Sequence, residues 1–116
     1  MMTVKIYHNP RCSKSRQTLA LLKDHGVEPK IIEYLKTPPT KIELIRILSM
    51  LGIGARSLMR KKEAEYKTEG LDDTGLDDAA LIAAMITHPI LIERPIVVSE
   101  TKAVIGRPPE NALDIL

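Results

Sequence analysis

The chain has 116 residues, of which 44% are hydrophobic and 28% are charged. This length predicts a single domain spanning residues 1–116, and the composition is ordinary for a soluble globular protein. The single cysteine excludes an internal disulfide framework and a zinc site built on several cysteines. No apolar stretch has the length of a membrane span or a signal core, so we expect a cytoplasmic protein with no membrane partner.

The formal net charge of +2 is unevenly distributed along the chain. Residues 1–60 carry 11 Lys/Arg against 4 Asp/Glu, a net charge of +7, whereas residues 61–116 carry 6 against 11, a net charge of −5. Most of these charges are expected on solvated helix faces, and an anionic ligand near the basic half is the alternative. Nucleic acid is not expected as a partner, because three tyrosines are the only aromatic residues and offer little base stacking.

The predicted elements follow the order strand, helix, strand, helical block, strand, strand, helix. Strands are predicted at 3–7, 31–35, 96–98 and 103–105, and helices at 13–25, 41–51, 55–62, 78–87 and 110–116. Thr40 with Glu43 forms a capping box, Asp77 caps the fourth helix, and the polar segment 67–75 is predicted to be a loop.

A strand–helix–strand unit requires a parallel pair, and the late hairpin adds antiparallel strands to the same sheet. The order therefore predicts an α/β fold with a thioredoxin-like mixed sheet (β-α-β followed by β-β-α). The helical block is then an insertion between the two halves of that sheet.

Cys12 is the residue that bears most directly on function. A lone intracellular cysteine is often a small buried hydrophobe, but segment 9–16 is polar and cationic and directly precedes a predicted helix. Backbone N–H groups and the positive end of the helix dipole would favour a thiolate there. Arg11, Lys14 and Arg16 add positive charge, and His8 is close in sequence. We therefore predict a reactive thiolate at Cys12.

The residues that follow Cys12 exclude two kinds of cysteine chemistry. A phosphatase of the Cys-x5-Arg type requires arginine six residues after the cysteine, where this chain has Thr18. A dithiol switch requires Cys-x-x-Cys, and Ser15 occupies the second cysteine position. What remains is a one-cysteine nucleophile that forms a covalent adduct and is released by an external thiol.

Three arginines, Arg60, Arg94 and Arg107, form a second candidate set. Arg94 and Arg107 each directly precede a proline, and pairing of the last two strands would bring them to the same end of a hairpin. Planar guanidinium groups are good donors to a tetrahedral oxyanion. Exposed arginines more often form structural salt bridges, for example Arg60 with Glu63, so spacing alone leaves both interpretations open.

Four separated motifs together carry a family resemblance that spans almost the whole chain. They are Tyr7-His8-Asn9-Pro10-x-Cys12-x-x-Ser15-Arg16, Leu58-Met59-Arg60-Lys61, Glu93-Arg94-Pro95-Ile96-Val97-Val98 and Arg107-Pro108. In this order they resemble the glutaredoxin-coupled bacterial arsenate reductases. The resemblance implies a thioredoxin-like fold with a helical insertion and a cis-proline at Pro95.

The resemblance also implies residue roles. Cys12 would attack arsenate, and Arg60, Arg94 and Arg107 would hold the oxyanion. His8 matches a histidine that favours the thiolate, and Ser15 matches a serine that hydrogen-bonds it. Glutathione is expected as a co-substrate, with no bound cofactor and no metal, and glutaredoxin is the expected protein partner.

Two alternatives to arsenate reduction keep the same fold. In one, the thiol acts on another oxyanion or on a glutathione mixed disulfide. In the other, the chain is a non-catalytic regulator like the related Spx proteins, which bind RNA polymerase. Their redox switch is usually a Cys-x-x-Cys pair, so Ser15 counts against the second alternative.

Overall fold

The computed structural model describes residues 3–116, which divide into two compact units. The sheet unit joins the N-terminal segment through Thr37 to Arg94–Leu116, and the helical unit is Pro38–Glu93. The expectation of a single domain over residues 1–116 stays a prediction. Within residues 3–116, no helix combines the length and the apolar character needed to cross a membrane.

The sheet unit contains the predicted mixed sheet. Its strands are β1 (Lys5–Tyr7), β2 (Lys30–Ile32), β3 (Ile96–Val98) and β4 (Ala103–Ile105), in the order β2-β1-β3-β4. β1 pairs in parallel with β2 and antiparallel with β3, and β3 pairs antiparallel with β4. The β-α-β and β-β-α halves and the thioredoxin-like fold are therefore as predicted.

One face of this sheet is covered by α1 (Ser13–Asp24) and by a terminal 3-10 helix (Pro109–Ile115). Their apolar side chains form a wholly aliphatic core with the strands: Val4, Ile6, Leu22, Val97, Ala112 and Ile115. Residues 110–116 were predicted to be a helix, and the structure has a 3-10 helix over Pro109–Ile115 instead of an α-helix.

The helical unit holds α2 (Lys41–Leu51), α3 (Ala55–Leu58), α4 (Ala64–Thr68), α5 (Asp78–Thr87) and a 3-10 helix (Pro89–Leu91). The predicted capping box is present: Thr40 Oγ1 accepts the Glu43 N–H at 3.2 Å, and Glu43 Oε1 accepts the Thr40 N–H at 2.9 Å. Gly52 ends α2 with φ of 69°, the left-handed conformation that glycine adopts without strain.

Four predicted boundaries were wrong by two residues or more. The strand predicted at 3–7 begins at Lys5. The helix predicted at 55–62 ends at Leu58, because Met59 pairs as a β-bridge with Ile92. The predicted loop 67–75 begins inside α4, which extends to Thr68. The strand predicted at 31–35 ends at Ile32, because Glu33 accepts the backbone N–H of Lys36 at 3.0 Å and so closes a turn.

Candidate active site

Cys12 lies at the N-cap of α1, directly after a turn. Its own N–H donates to the Asn9 carbonyl at 3.0 Å, and its carbonyl accepts the Arg16 N–H, also at 3.0 Å. The residue has extended backbone geometry (φ −90°, ψ 124°), its side chain makes no capping hydrogen bond, and the thiol is free and half-buried. The sulfur is therefore at the positive end of a 12-residue helix.

A buried network supports the turn that carries Cys12. Ser15 Oγ lies 2.8 Å from His8 Nδ1 and accepts the Asn9 N–H at 3.0 Å. His8 is 6% exposed and Ser15 is fully buried. The Asn9 side chain also acts locally, since its Oδ1 accepts the Arg11 N–H at 3.0 Å. These bonds fix the backbone on both sides of Cys12.

Burial lowers the pKa of His8, because a buried imidazolium loses hydration. Glu33 opposes this shift, while Arg16 and Lys23 act in the same direction as burial. Burial therefore favours the neutral ring, in which one nitrogen carries hydrogen and the other is able to accept.

The predicted cations around Cys12 are exposed. Arg11, Lys14 and Arg16 all have solvent-accessible side chains. Arg16 Nη1 also donates to the Pro10 carbonyl at 2.9 Å, across the turn that precedes Cys12. Positive charge thus surrounds the N-terminus of α1 in the sense that favours an anion there.

Arg94 and Arg107 lie at the same end of the β3–β4 hairpin, as predicted. The register pairs Ile96 with Ile105, and Arg107 Nη1 donates to the Arg94 carbonyl at 3.3 Å. Both Arg94–Pro95 and Arg107–Pro108 are cis peptide bonds, so the implied cis-proline at Pro95 is present. The Nε and Nη1 atoms of Arg94 are buried.

This hairpin end packs against α1, the helix whose N-cap is Cys12. Thr18, in the second turn of α1, is fully buried, and its Oγ1 lies 3.4 Å from the Gly106 carbonyl. The Gly106 N–H donates to the Pro95 carbonyl at 2.9 Å. A Cβ at position 106 would lie 2.7 Å from Thr18 Oγ1 and 2.9 Å from Pro95 Cγ. Glycine is therefore required for this close approach.

Arg60 belongs to the helical unit and has two carboxylate neighbours there. Its Nη1 lies 3.0 Å from Glu63 Oε1, and its Nε lies 3.9 Å from Glu93 Oε1. Its backbone N–H donates to the Leu91 carbonyl at 2.7 Å. The expected Glu63 salt bridge is thus present, and convergence of Arg60 with Cys12 stays a prediction.

Two cavities differ sharply in chemistry. The larger, of about 500 Å³, is lined mainly by aliphatic residues of α2 and α5, with Lys41 and Asp78 as its charged members. The smaller, of about 240 Å³, is lined by His8, Asn9, Pro10, Arg11, Glu33, Leu35 and Lys36, and is called the His8–Lys36 cavity below. Of these two cavities, the smaller one borders the Cys12 turn.

Three residues that were not among the predicted site residues contribute to this site. The Asn9 N–H donates to Ser15 Oγ, Thr18 Oγ1 lies near the Gly106 carbonyl, and the charge of Glu33 raises the pKa of His8. The Asn-Pro pair before Cys12 signals a turn, and no local pattern indicates Thr18 or Glu33.

Within residues 3–116, no group of three or more His, Cys, Asp or Glu residues is arranged to hold a metal ion.

Comparison with known proteins gives consistent matches over the whole chain. The model of the ArsC family matches residues 7–115. The chain is 57% identical over 114 residues to the uncharacterized protein YfgD of Escherichia coli K12, covering 97% of this chain and 96% of that one. It is 49% identical to an arsenate reductase of Neisseria meningitidis serogroup A, covering 100% of both. A solved arsenate reductase from Vibrio cholerae superposes with a TM-score of 0.96 at 55% identity, covering 99% of this chain and 98% of that one.

Proposed function

The chain belongs to the ArsC family, and on that basis we propose that it is an arsenate reductase with Cys12 as its nucleophile. The observation that carries the proposal is the position of Cys12. It is the N-cap of a long helix, half-exposed and surrounded by cations. The helix N-terminus and the exposed cations favour an approaching oxyanion at the point where the Cys12 sulfur lies.

In the proposed first step, the Cys12 thiolate attacks arsenic(V), and a thiol–arsenate ester forms as an arsenate oxygen leaves as water. Arg60, Arg94 and Arg107 are proposed to hold the oxyanion and to stabilise its charge in the adduct. The shared hairpin end of Arg94 and Arg107 supports their part of this pocket.

The second step requires a second sulfur, because the chain has one cysteine and reduction of arsenate to arsenite takes two electrons. We propose glutathione as its source. Arsenic gains two electrons and leaves as arsenite, while Cys12 and glutathione become joined in a mixed disulfide. Glutaredoxin then removes the glutathione by thiol–disulfide exchange. The cycle is proposed to run in the cytoplasm, where such thiols stay reduced.

His8 and Ser15 are proposed to assist the nucleophile. Their buried contact of 2.8 Å supports a joint role, since the Ser15 hydroxyl is held beside the turn of Cys12. When His8 Nδ1 carries hydrogen and donates to Ser15 Oγ, the Ser15 hydroxyl would be able to donate its own proton to the thiolate.

The test is arsenate-dependent NADPH consumption with glutathione, glutathione reductase and glutaredoxin supplied. Turnover should require both thiol components and should vanish in Cys12→Ser, which keeps the size of the side chain but has no thiolate. A reactive Cys12 without arsenate turnover above that background would instead favour another oxyanion or a glutathione mixed disulfide as substrate. An unreactive Cys12 would favour the non-catalytic regulator.

A further inference from the structure

The His8–Lys36 cavity lies beside the nucleophile. Arg11 lines it and is the residue directly before Cys12, so their Cα atoms are about 3.8 Å apart. Its volume of about 240 Å³ is below the range of about 300–1,000 Å³ that holds a whole drug-sized ligand. The cavity therefore suits one end of a small molecule whose remainder extends outside it.

The charges that line the cavity are of both signs. Arg11 and Lys36 are cationic and Glu33 is anionic. Lys36 Nζ and Glu33 Oε1 are 3.7 Å apart, with side chains 78% and 46% exposed. Such an exposed pair contributes little stability. Both side chains can therefore give up their contact with each other and bind a ligand instead. One acid with two bases matches a group that carries both an ammonium and a carboxylate.

We propose that the His8–Lys36 cavity binds the zwitterionic γ-glutamyl head of glutathione and presents the glutathione thiol to Cys12. Glu33 would accept from the α-ammonium, and Arg11 and Lys36 would donate to the α-carboxylate. The glycyl end fits less well, because it offers a carboxylate alone and would leave Glu33 facing a like charge. The inference rests on the proposed function, which requires a second thiol beside Cys12.

Thiol–disulfide exchange tests this site without arsenate. The Cys12 thiolate attacks one sulfur of glutathione disulfide, a Cys12–glutathione bond forms, the original S–S bond breaks, and one glutathione thiolate leaves. Bis(2-hydroxyethyl) disulfide undergoes the same exchange without a zwitterionic head. The ratio of the two second-order rate constants, followed by intact-protein mass spectrometry, reports recognition separately from the reactivity of Cys12.

The variants are Glu33→Gln and Lys36→Ala, with Glu28→Gln and Lys30→Ala as matched controls. Both control side chains are exposed and lie outside the cavity lining. Loss of one charged hydrogen bond should lower the rate ratio on the order of tenfold in each cavity variant, and the controls should leave it unchanged. Oxidised γ-glutamylcysteine should react like glutathione disulfide, and oxidised cysteinylglycine like the hydroxyethyl compound.

Equal rate ratios in the wild type and all four variants would overturn the site, whether or not arsenate is reduced. A Cys12 that reacts with neither disulfide would overturn it as well, and so would oxidised cysteinylglycine reacting as fast as glutathione disulfide. Selective exchange that is lost in Glu33→Gln supports the site. If no arsenate turnover accompanies that result, the proposed function fails while the thiol site stands.

Discussion

Ser15 Oγ lies 2.8 Å from His8 Nδ1 while it accepts the Asn9 N–H at 3.0 Å. A serine hydroxyl has one proton to donate, so the tautomer of His8 decides where that proton goes. If Nδ1 is bare, Ser15 donates to it. If Nδ1 carries hydrogen, it donates to Oγ, and the Ser15 proton is released for another acceptor such as a thiolate at Cys12. The tautomer of His8 thus decides whether the Ser15 hydroxyl can donate to an acceptor other than His8.

Ser15→Ala should both destabilise the protein and slow the alkylation of Cys12 by iodoacetamide. The substitution leaves the His8 ring and the Asn9 N–H without their buried partner, which should lower the free energy of unfolding by about 1–3 kcal/mol. Urea unfolding and alkylation kinetics would measure the two effects. Ser13→Ala is the control, because that side chain is exposed at the start of the same helix. Equal effects from both substitutions would contradict a role for the network.

The free energy of unfolding should fall as pH decreases from about 7 to 5, in part through His8. Burial lowers the pKa of His8 in the native state, so the unfolded chain binds the proton more readily. Unfolding therefore takes up a proton below the ordinary histidine pKa of about 6.5, and acid favours the unfolded state. His8→Asn cannot titrate, so it should flatten this part of the profile. His25 and His88 are present in both proteins, so an equally steep profile in the variant would refute the contribution of His8.

The elements predicted most closely are those whose signals lie in neighbouring residues, such as a helix cap or a hairpin turn. α5 matches its predicted span, and Asp77 Oδ1 accepts the Ala80 N–H at 2.9 Å at its start. The β3–β4 hairpin also matches. α4 was not predicted, and its Tyr66 hydroxyl accepts a hydrogen bond at 2.6 Å from Arg56 Nη1, ten residues earlier in the sequence. The spacing of apolar residues along the sequence does not predict such a contact.

The candidate site was predictable where strand pairing determined it. The positions of Arg94 and Arg107 followed from the expected hairpin. The cavity beside Cys12 was not predictable, because Glu33 and Lys36 border it only after the chain turns at the end of β2. Long-range burial also determines the environment of His8, and a polar residue next to a strand end carries no sign of burial in its sequence.

Gly106→Ala should destabilise the sheet unit by on the order of 1–3 kcal/mol, since overpacking forces a well-packed region to move. The new methyl group would clash with Thr18 and Pro95. Neither can yield easily, because Thr18 is buried and hydrogen-bonded to the Lys14 carbonyl and the proline ring is rigid. Thr18→Ala in the same chain removes part of the clash, so the double variant should be more stable than the two separate losses predict. Additive losses in urea unfolding would exclude this contact as the cause.

Sulfate or arsenate should slow the alkylation of Cys12, and this protection should weaken as sodium chloride concentration rises. Under the proposed function, Arg94→Ala and Arg107→Ala should each reduce the protection several-fold, because each removes a planar donor to the anion. Arg46→Ala is the control, since it removes an exposed arginine in α2. Equal loss in all three variants would indicate a general effect of charge instead of a site.

Arg60 has two possible roles that an experiment can distinguish. It is proposed to bind the oxyanion, and it is observed beside the carboxylates of Glu63 and Glu93. Its Nη1 lies 3.0 Å from Glu63 Oε1, and both side chains are about three-quarters buried. If Arg60 acts only through this pair, Glu63→Gln should have the same effect on activity as Arg60→Ala. If Arg60 stabilises the arsenate adduct, the two substitutions should differ.

We expect the second outcome. Arg60→Ala should lower kcat/KM for arsenate on the order of 10²-fold, the usual effect of removing one donor to an oxyanion. It should leave the alkylation rate of Cys12 within about twofold, since the surroundings of the sulfur are built by α1 and the turn before it. Arg60→Lys keeps the charge but loses the planar fork, so partial recovery of kcat/KM is expected. Glu63→Gln should retain turnover, because the guanidinium remains. Steady-state kinetics beside alkylation rates would decide, and equal turnover loss in Arg60→Ala and Glu63→Gln would return Arg60 to a structural role.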